Sequence, residues 1–77
     1  MTYTIDMIIT EKESTLTKII QTFRKLQFHI ELFHLEKEAE GDNSAVTAEI
    51  TGEGKLDLLN KSLTKIEGVQ SVCNTTQ

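Results

Sequence analysis

Phe28 to Ile50, FHIELFHLEKEAEGDNSAVTAEI, is the stretch that decides the fold of this 77-residue chain. From Phe28 the hydropathy has a period of two through Ile30, Leu32 and His34, which is the spacing of one strand face, while Phe33 and Leu35 put apolar side chains on the other. Either both faces of this strand meet something apolar or the strand contains a bulge. The polar cluster Glu38 to Ser44, centred on Gly41-Asp42-Asn43, holds the residue types that tolerate positive φ and therefore predicts a turn. Beyond it Val46, Ala48 and Ile50 alternate with Thr47, Glu49 and Thr51, a second strand that must return antiparallel to the first.

On each side of this central hairpin lie one helical and one strand pattern. Toward the N-terminus, Tyr3, Ile5, Met7 and Ile9 alternate with Thr4, Asp6 and Thr10, Ile8 being the exception. The period then lengthens: Leu16, Ile19, Ile20, Phe23 and Leu26 form one apolar helical stripe, with Ser14 or Thr15 as its N-cap. Toward the C-terminus, Gly52-Glu53-Gly54 leads into a second stripe of Leu56, Leu59, Leu63 and Ile66. Gly68 falls where a left-handed C-terminal cap belongs, and Val69 to Cys73 predicts a short closing strand. The order is βαββαβ. Two right-handed crossovers then place both helices on one face of a four-stranded antiparallel sheet, an α+β plan of the ferredoxin-like type, with residues 1–77 read as a single domain.

A domain of this length buries only about 60% of the surface its unfolded chain exposes, so added support is expected. The single Cys73 excludes an internal disulfide, and a second copy of the chain becomes the favoured supplement. One cysteine and no apolar leader after Met1 point to the cytoplasm. No apolar run approaches the roughly 20 residues of a membrane span, so no membrane partner is expected. The net charge of −4 repels phosphate backbones, and nucleic acid is not an expected partner. Arg24-Lys25, the only adjacent basic pair, reads as a solvated helix face.

The search for chemistry finds little. His29 and His34 are five apart, so a regular strand points them to opposite faces and away from a shared metal ion. Cys73 has no second cysteine near it and reads as core filler. Gly52-Glu53-Gly54-Lys55 lacks the glycine spacing and following hydroxyl of a nucleotide loop. Acyl phosphatases of this topology need an arginine after the first strand, where the chain has Thr10-Glu11-Lys12-Glu13-Ser14. RNA-recognition domains stack bases on aromatics of the central strands, whereas Tyr3 and Phe33 read as packing. Asn60-Lys61-Ser62 and Asn74-Thr75-Thr76 match the glycosylation triplet but carry no weight in a cytoplasmic chain. Glu36, Glu38 and Glu40 read as charges that protect an edge strand. No catalytic residue, metal or cofactor is expected.

Three segments together resemble the ACT domain: Ser14-Thr15-Leu16-Thr17-Lys18-Ile19-Ile20, Phe28-His29-Ile30-Glu31, and Asp57-Leu58-Leu59 with Leu63-Thr64-Lys65-Ile66 and Val69-Gln70-Ser71-Val72. Within that family the chain is similar to the small regulatory subunit of acetohydroxyacid synthase (acetolactate synthase), in the short form that goes with the valine-insensitive isozyme. The resemblance implies a non-catalytic homodimer that pairs through its sheet, binds the catalytic subunit and raises its activity in branched-chain amino-acid synthesis. The alternative it leaves is a free-standing sensor of a small amino acid. By family position the effector residues are Glu11, Ser14, Thr15, Leu16, His29 and Ile30. The family's loop commonly carries Asn and Gly where Glu11 and Ser14 stand, and often Asn where His29 stands. Glu11 and Glu13 put negative charge at the helix start that would receive a carboxylate, and Ser14 adds a Cβ where a small ligand needs close backbone approach. Weak or absent valine binding is the expectation.

Overall fold

The computed structural model describes residues 2–10, 13–38 and 41–76. Its elements run β1 (Thr2–Thr10), α1 (Glu13–Lys25), β2 (His29–Lys37), β3 (Asn43–Thr51), α2 (Leu56–Thr64) and β4 (Val69–Thr76). The strands form one four-stranded sheet in the order β2-β3-β1-β4, with β1 antiparallel to both β3 and β4 and β2 antiparallel to β3. This is the predicted ferredoxin-like βαββαβ fold.

Alternation places the core. Tyr3, Ile5, Met7 and Ile9 of β1 and Val46, Ala48 and Ile50 of β3 are buried on the inner face, against Ile19 and Phe23 of α1 and Leu59 and Leu63 of α2. Tyr3 meets Phe28 edge-on, ring centroids 6.3 Å apart at 78°. Both of the aromatics weighed against base stacking, Tyr3 and Phe33, therefore pack inward.

Four expectations need correction. The buried stripe of α1 is Thr15, Ile19 and Phe23, flanked by half-buried Leu16, while Ile20 is 37% exposed. The helix turns Thr15 inward because that position faces the α2–β4 turn, and Ile20 rotates out by the same angle. Ser14 and Thr15 lie inside the first turn, after Glu13, so neither is the N-cap; the Thr15 hydroxyl donates instead to the Glu67 carbonyl at 3.0 Å. Cys73 is exposed, because β4 alternates so that Cys73 pairs with exposed Asp6 on the outer face.

The fourth correction follows from a bulge. The β2–β3 register shifts between Ile30 and Leu32, which leaves Glu31 as the extra residue. That one residue resolves the two-sided hydropathy of β2: Ile30, Phe33 and Leu35 pair with Ile50, Ala48 and Val46 on the inner face. His29 and His34 pair with Thr51 and Thr47, so both face outward on the same side of the sheet. They stand four β3 residues apart, about 13 Å along the strand, and still cannot share an ion.

Helix ends are set by backbone geometry. After α1 the Phe28 N–H donates to the Phe23 carbonyl (2.9 Å) and the Gln27 N–H to that of Arg24 (3.1 Å), with Gln27 at φ 66°. This is a Schellman closure built on a non-glycine residue. Gly68 has the expected left-handed backbone, φ 100°, but within the turn closed by Val69 N–H to Ile66 C=O (3.1 Å), beyond the end of α2.

Candidate functional site

The β1–α1 junction is where the effector residues of the resemblance begin. Two hydrogen bonds tie it to the α2–β4 turn. The Thr10 N–H donates to the Gly68 carbonyl at 2.7 Å, and the Thr15 hydroxyl, 2% exposed, donates to the Glu67 carbonyl at 3.0 Å. Gly68 lies so close beneath Thr15 that a Cβ there would collide with the threonine side chain, a contact only glycine permits. The space under the first turn of α1 is therefore filled by the protein itself.

Each predicted effector residue has a definite place except Glu11, which lies outside the described residues. Ser14 is exposed and, with Glu13, Thr17, Lys18 and Gln21, lines a broad shallow groove along the solvent side of α1. Thr15 points the other way, into the tie just described, and Leu16 packs half-buried against the core. His29 and Ile30 are at the opposite end of the sheet. His29 pairs with Thr51, which pairs with Thr2, whereas α1 begins beyond Thr10. Eight residues of strand, about 26 Å, separate the two groups. Within one copy they do not converge; only a second copy could bring them together.

At its own end His29 has a side chain 77% exposed, with Nε2 3.8 Å from Glu31 Oε1. The same Glu31 oxygen accepts a bond from the Thr51 hydroxyl at 3.3 Å, so the bulge residue braces the outer face of β2 against β3. At the other end lies a polar group that the sequence did not announce. Gln70 Nε2 donates to Asn43 Oδ1 at 2.7 Å and to Thr10 Oγ1 at 3.1 Å, linking β4, β3 and β1 beside the junction. Its members come from three separated strands. They meet because the β1–β4 register shifts between Ile8 and Ile9, which pair with Ser71 and Val69 and leave Gln70 unpaired in the ladder.

None of this assembles a reaction centre among the described residues. No three side chains of the metal-ligating types come together there. Ser44 is fully buried on the inner face with its Oγ lacking a partner, and Asn60 Oδ1 on α2 is in the same position, but both are single polar atoms. No helix among the described residues is long and apolar enough to cross a membrane.

Comparison with known proteins gives a fold and no closer relation. No family model and no curated protein matches the chain. Solved structures do. The ACT domain from GTP pyrophosphokinase of Chlorobium tepidum is 21% identical with a TM-score of 0.78, and the match covers 96% of each chain. The C-terminal domain of the MgtC protein from Mycobacterium tuberculosis is also 21% identical, TM-score 0.79, over 99% of this chain and 86% of that one. The acetolactate synthase small subunit from Thermotoga maritima is 17% identical, TM-score 0.81, over 96% of this chain; the chain spans 47% of that subunit's length. What the sheet order, the two helices on one face and these likenesses establish together is that the chain has the ACT-domain fold.

Proposed function

We propose that the chain is a non-catalytic regulatory module that binds the catalytic subunit of acetohydroxyacid synthase and raises its activity in branched-chain amino-acid synthesis. It acts in the cytoplasm, as a homodimer of single ACT-like domains. The observation that carries this reading is the double tie of the β1–α1 junction to the α2–β4 turn. A small-molecule sensor needs room at that junction; a module whose junction is filled and braced by its own chain is suited to present a fixed surface to another protein. The fold likeness to an acetolactate synthase small subunit supports the choice of partner. Ile20 and Leu32, 37% and 46% exposed on α1 and on edge strand β2, supply apolar surface for the dimer.

In this reading Ser14, Thr15, Leu16, His29 and Ile30 keep the positions of an effector site without its chemistry. The exposed Glu13 carboxylate at the start of α1 opposes a ligand carboxylate. The test is to mix the purified chain with the acetohydroxyacid synthase catalytic subunit of its own source and follow acetolactate formation from pyruvate, with and without valine. Activation that valine does not reverse is the expected result. Absence of both binding and activation would sink the proposal and leave the free-standing sensor, which calorimetric titration with small amino acids would then reveal.

A further inference from the structure

Folding sorts the charges of this chain by layer. Among the described residues, the two helices and the loops that flank α2 hold six basic side chains, all exposed, against Glu13, Glu53, Asp57 and Glu67. The four strands and the β2–β3 turn hold six acidic residues against Lys37 alone. The net charge of −4 is therefore unevenly placed: the helix layer carries a small excess of positive charge and the sheet layer most of the negative. In the sequence the basic residues are scattered; helical periodicity and the βαββαβ order gather them.

Each side also carries an apolar feature. On α2, Leu58 is 48% exposed and shares one solvent strip with Lys61 and Lys65, at spacings of three and four. On the outer face of the sheet, Asp6, Ile8, Ala45, Thr47, Ser71 and Cys73 line a shallow hollow across β3, β1 and β4. Glu49 stands beside it, two residues along β3 from Thr47. One surface is an exposed leucine flanked by lysines with Asp57 beside it; the other is a hollow with Ile8, Ala45 and Cys73 at its floor and Asp6 in its wall, where Asp6 Oδ1 accepts from the Thr47 hydroxyl at 3.1 Å.

We propose that these two surfaces bind each other between copies of this chain, the Leu58 strip of one copy seating in the sheet hollow of the next, with Lys61 and Lys65 against Asp6 and Glu49. The occupant is a second copy because the chain itself supplies both halves, matched in charge sign and in apolar character. At contact the nearest charges decide, since those beyond about 8–10 Å are screened at physiological salt, so facing layers of opposite sign attract despite the like net charges. The two surfaces are different patches on opposite sides of the molecule, so the contact is heterologous and does not close; it propagates as a stack. Both edge strands keep their backbone groups free, and although Leu32, the cross-strand neighbour of Glu49, borders the sheet-side contact, the stack needs neither an edge dimer nor the proposed enzyme partner.

The experiment is sedimentation velocity on the intact chain over a concentration series, at about 20 mM and about 500 mM salt, between which the screening length falls from about 20 Å to about 4 Å. Wild type is expected to gain mass without a plateau in low salt and to lose that growth in high salt. A helix-side variant, Lys61→Glu with Lys65→Glu, and a sheet-side variant, Asp6→Lys with Glu49→Lys, each alone should associate roughly tenfold or more weakly. Mixed, they match native surface to native surface and reversed charges to reversed charges, so growth as an alternating stack should return, which neither variant shows alone. Circular dichroism on each variant checks that it is folded, and the exposed Leu58→Ala change, which leaves every charge in place, should weaken the stack as well. No salt-sensitive growth of wild type overturns the inference, as does growth to a closed dimer that neither charge reversal weakens.

Discussion

Gln27 is the one described non-glycine residue with positive φ, 66°, and it closes α1 through the Phe28-to-Phe23 and Gln27-to-Arg24 bonds. A left-handed backbone costs an L-residue with a Cβ roughly 1 kcal/mol that glycine does not incur. Gln27→Gly is therefore expected to stabilise the chain by about 0.5–1 kcal/mol, read as a rise in the urea midpoint with an unchanged slope. Ser44 presents the other kind of misfit. Its hydroxyl is fully buried without a partner, so the desolvation cost of that oxygen is not offset. Ser44→Ala should raise stability by about 1 kcal/mol, which in a chain of this size is a melting shift of about 4–8 °C. No gain, or a loss, would mean that the hydroxyl has an unrecognised partner. Neither residue was legible beforehand: a left-handed glutamine carries no sequence mark, and a serine next to a turn reads as surface.

Among the elements, β2 shows what periodicity can and cannot tell. The pattern from Phe28 to Leu35 admitted two explanations, apolar contact on both faces or a bulge, and the structure selects the bulge at Glu31. Because Glu31 is the residue without a partner in the ladder, deleting it leaves Ile30 opposite Ile50 and Leu32 opposite Glu49. The deletion should thus cost only about 1–2 kcal/mol, chiefly the lost brace to Thr51, and keep the fold. Deleting Leu35 instead closes the bulge only by setting His34 opposite Val46 on the inner face and Phe33 opposite Thr47 on the outer face, and that chain should be largely unfolded at 25 °C. Comparing the two deletions by circular dichroism and urea titration checks the assignment; equal damage would argue against it. The strands β1 and β3 were legible because each buries only one face, and α2 because Leu59 and Leu63 sit one turn apart. On α1 the apolar stripe was legible but its rotation was not, since Thr15 is buried for a hydrogen bond to a residue 52 positions away.

At the scale of the whole molecule, the fold could be read because each local pattern agreed with the same topology, and the charge layering could not because it exists only after the helices are laid on the sheet. The effector positions show the same limit: Ser14 and His29 belong to one family pattern, yet the register sets them at opposite ends of the sheet. The strand order has a consequence for how such a chain is born. β1 is made before the other strands and lies inside the sheet between β3 and β4, and β4 is made last of all. A growing chain on the ribosome can form α1 and the β2–β3 hairpin as they emerge, but Tyr3, Ile5, Met7 and Ile9 have only part of their sheet until β4 is released. Synthesis at about 5–20 residues per second leaves that interval at several seconds, so the nascent strand must be shielded, or stay unstructured, until translation has passed Thr76.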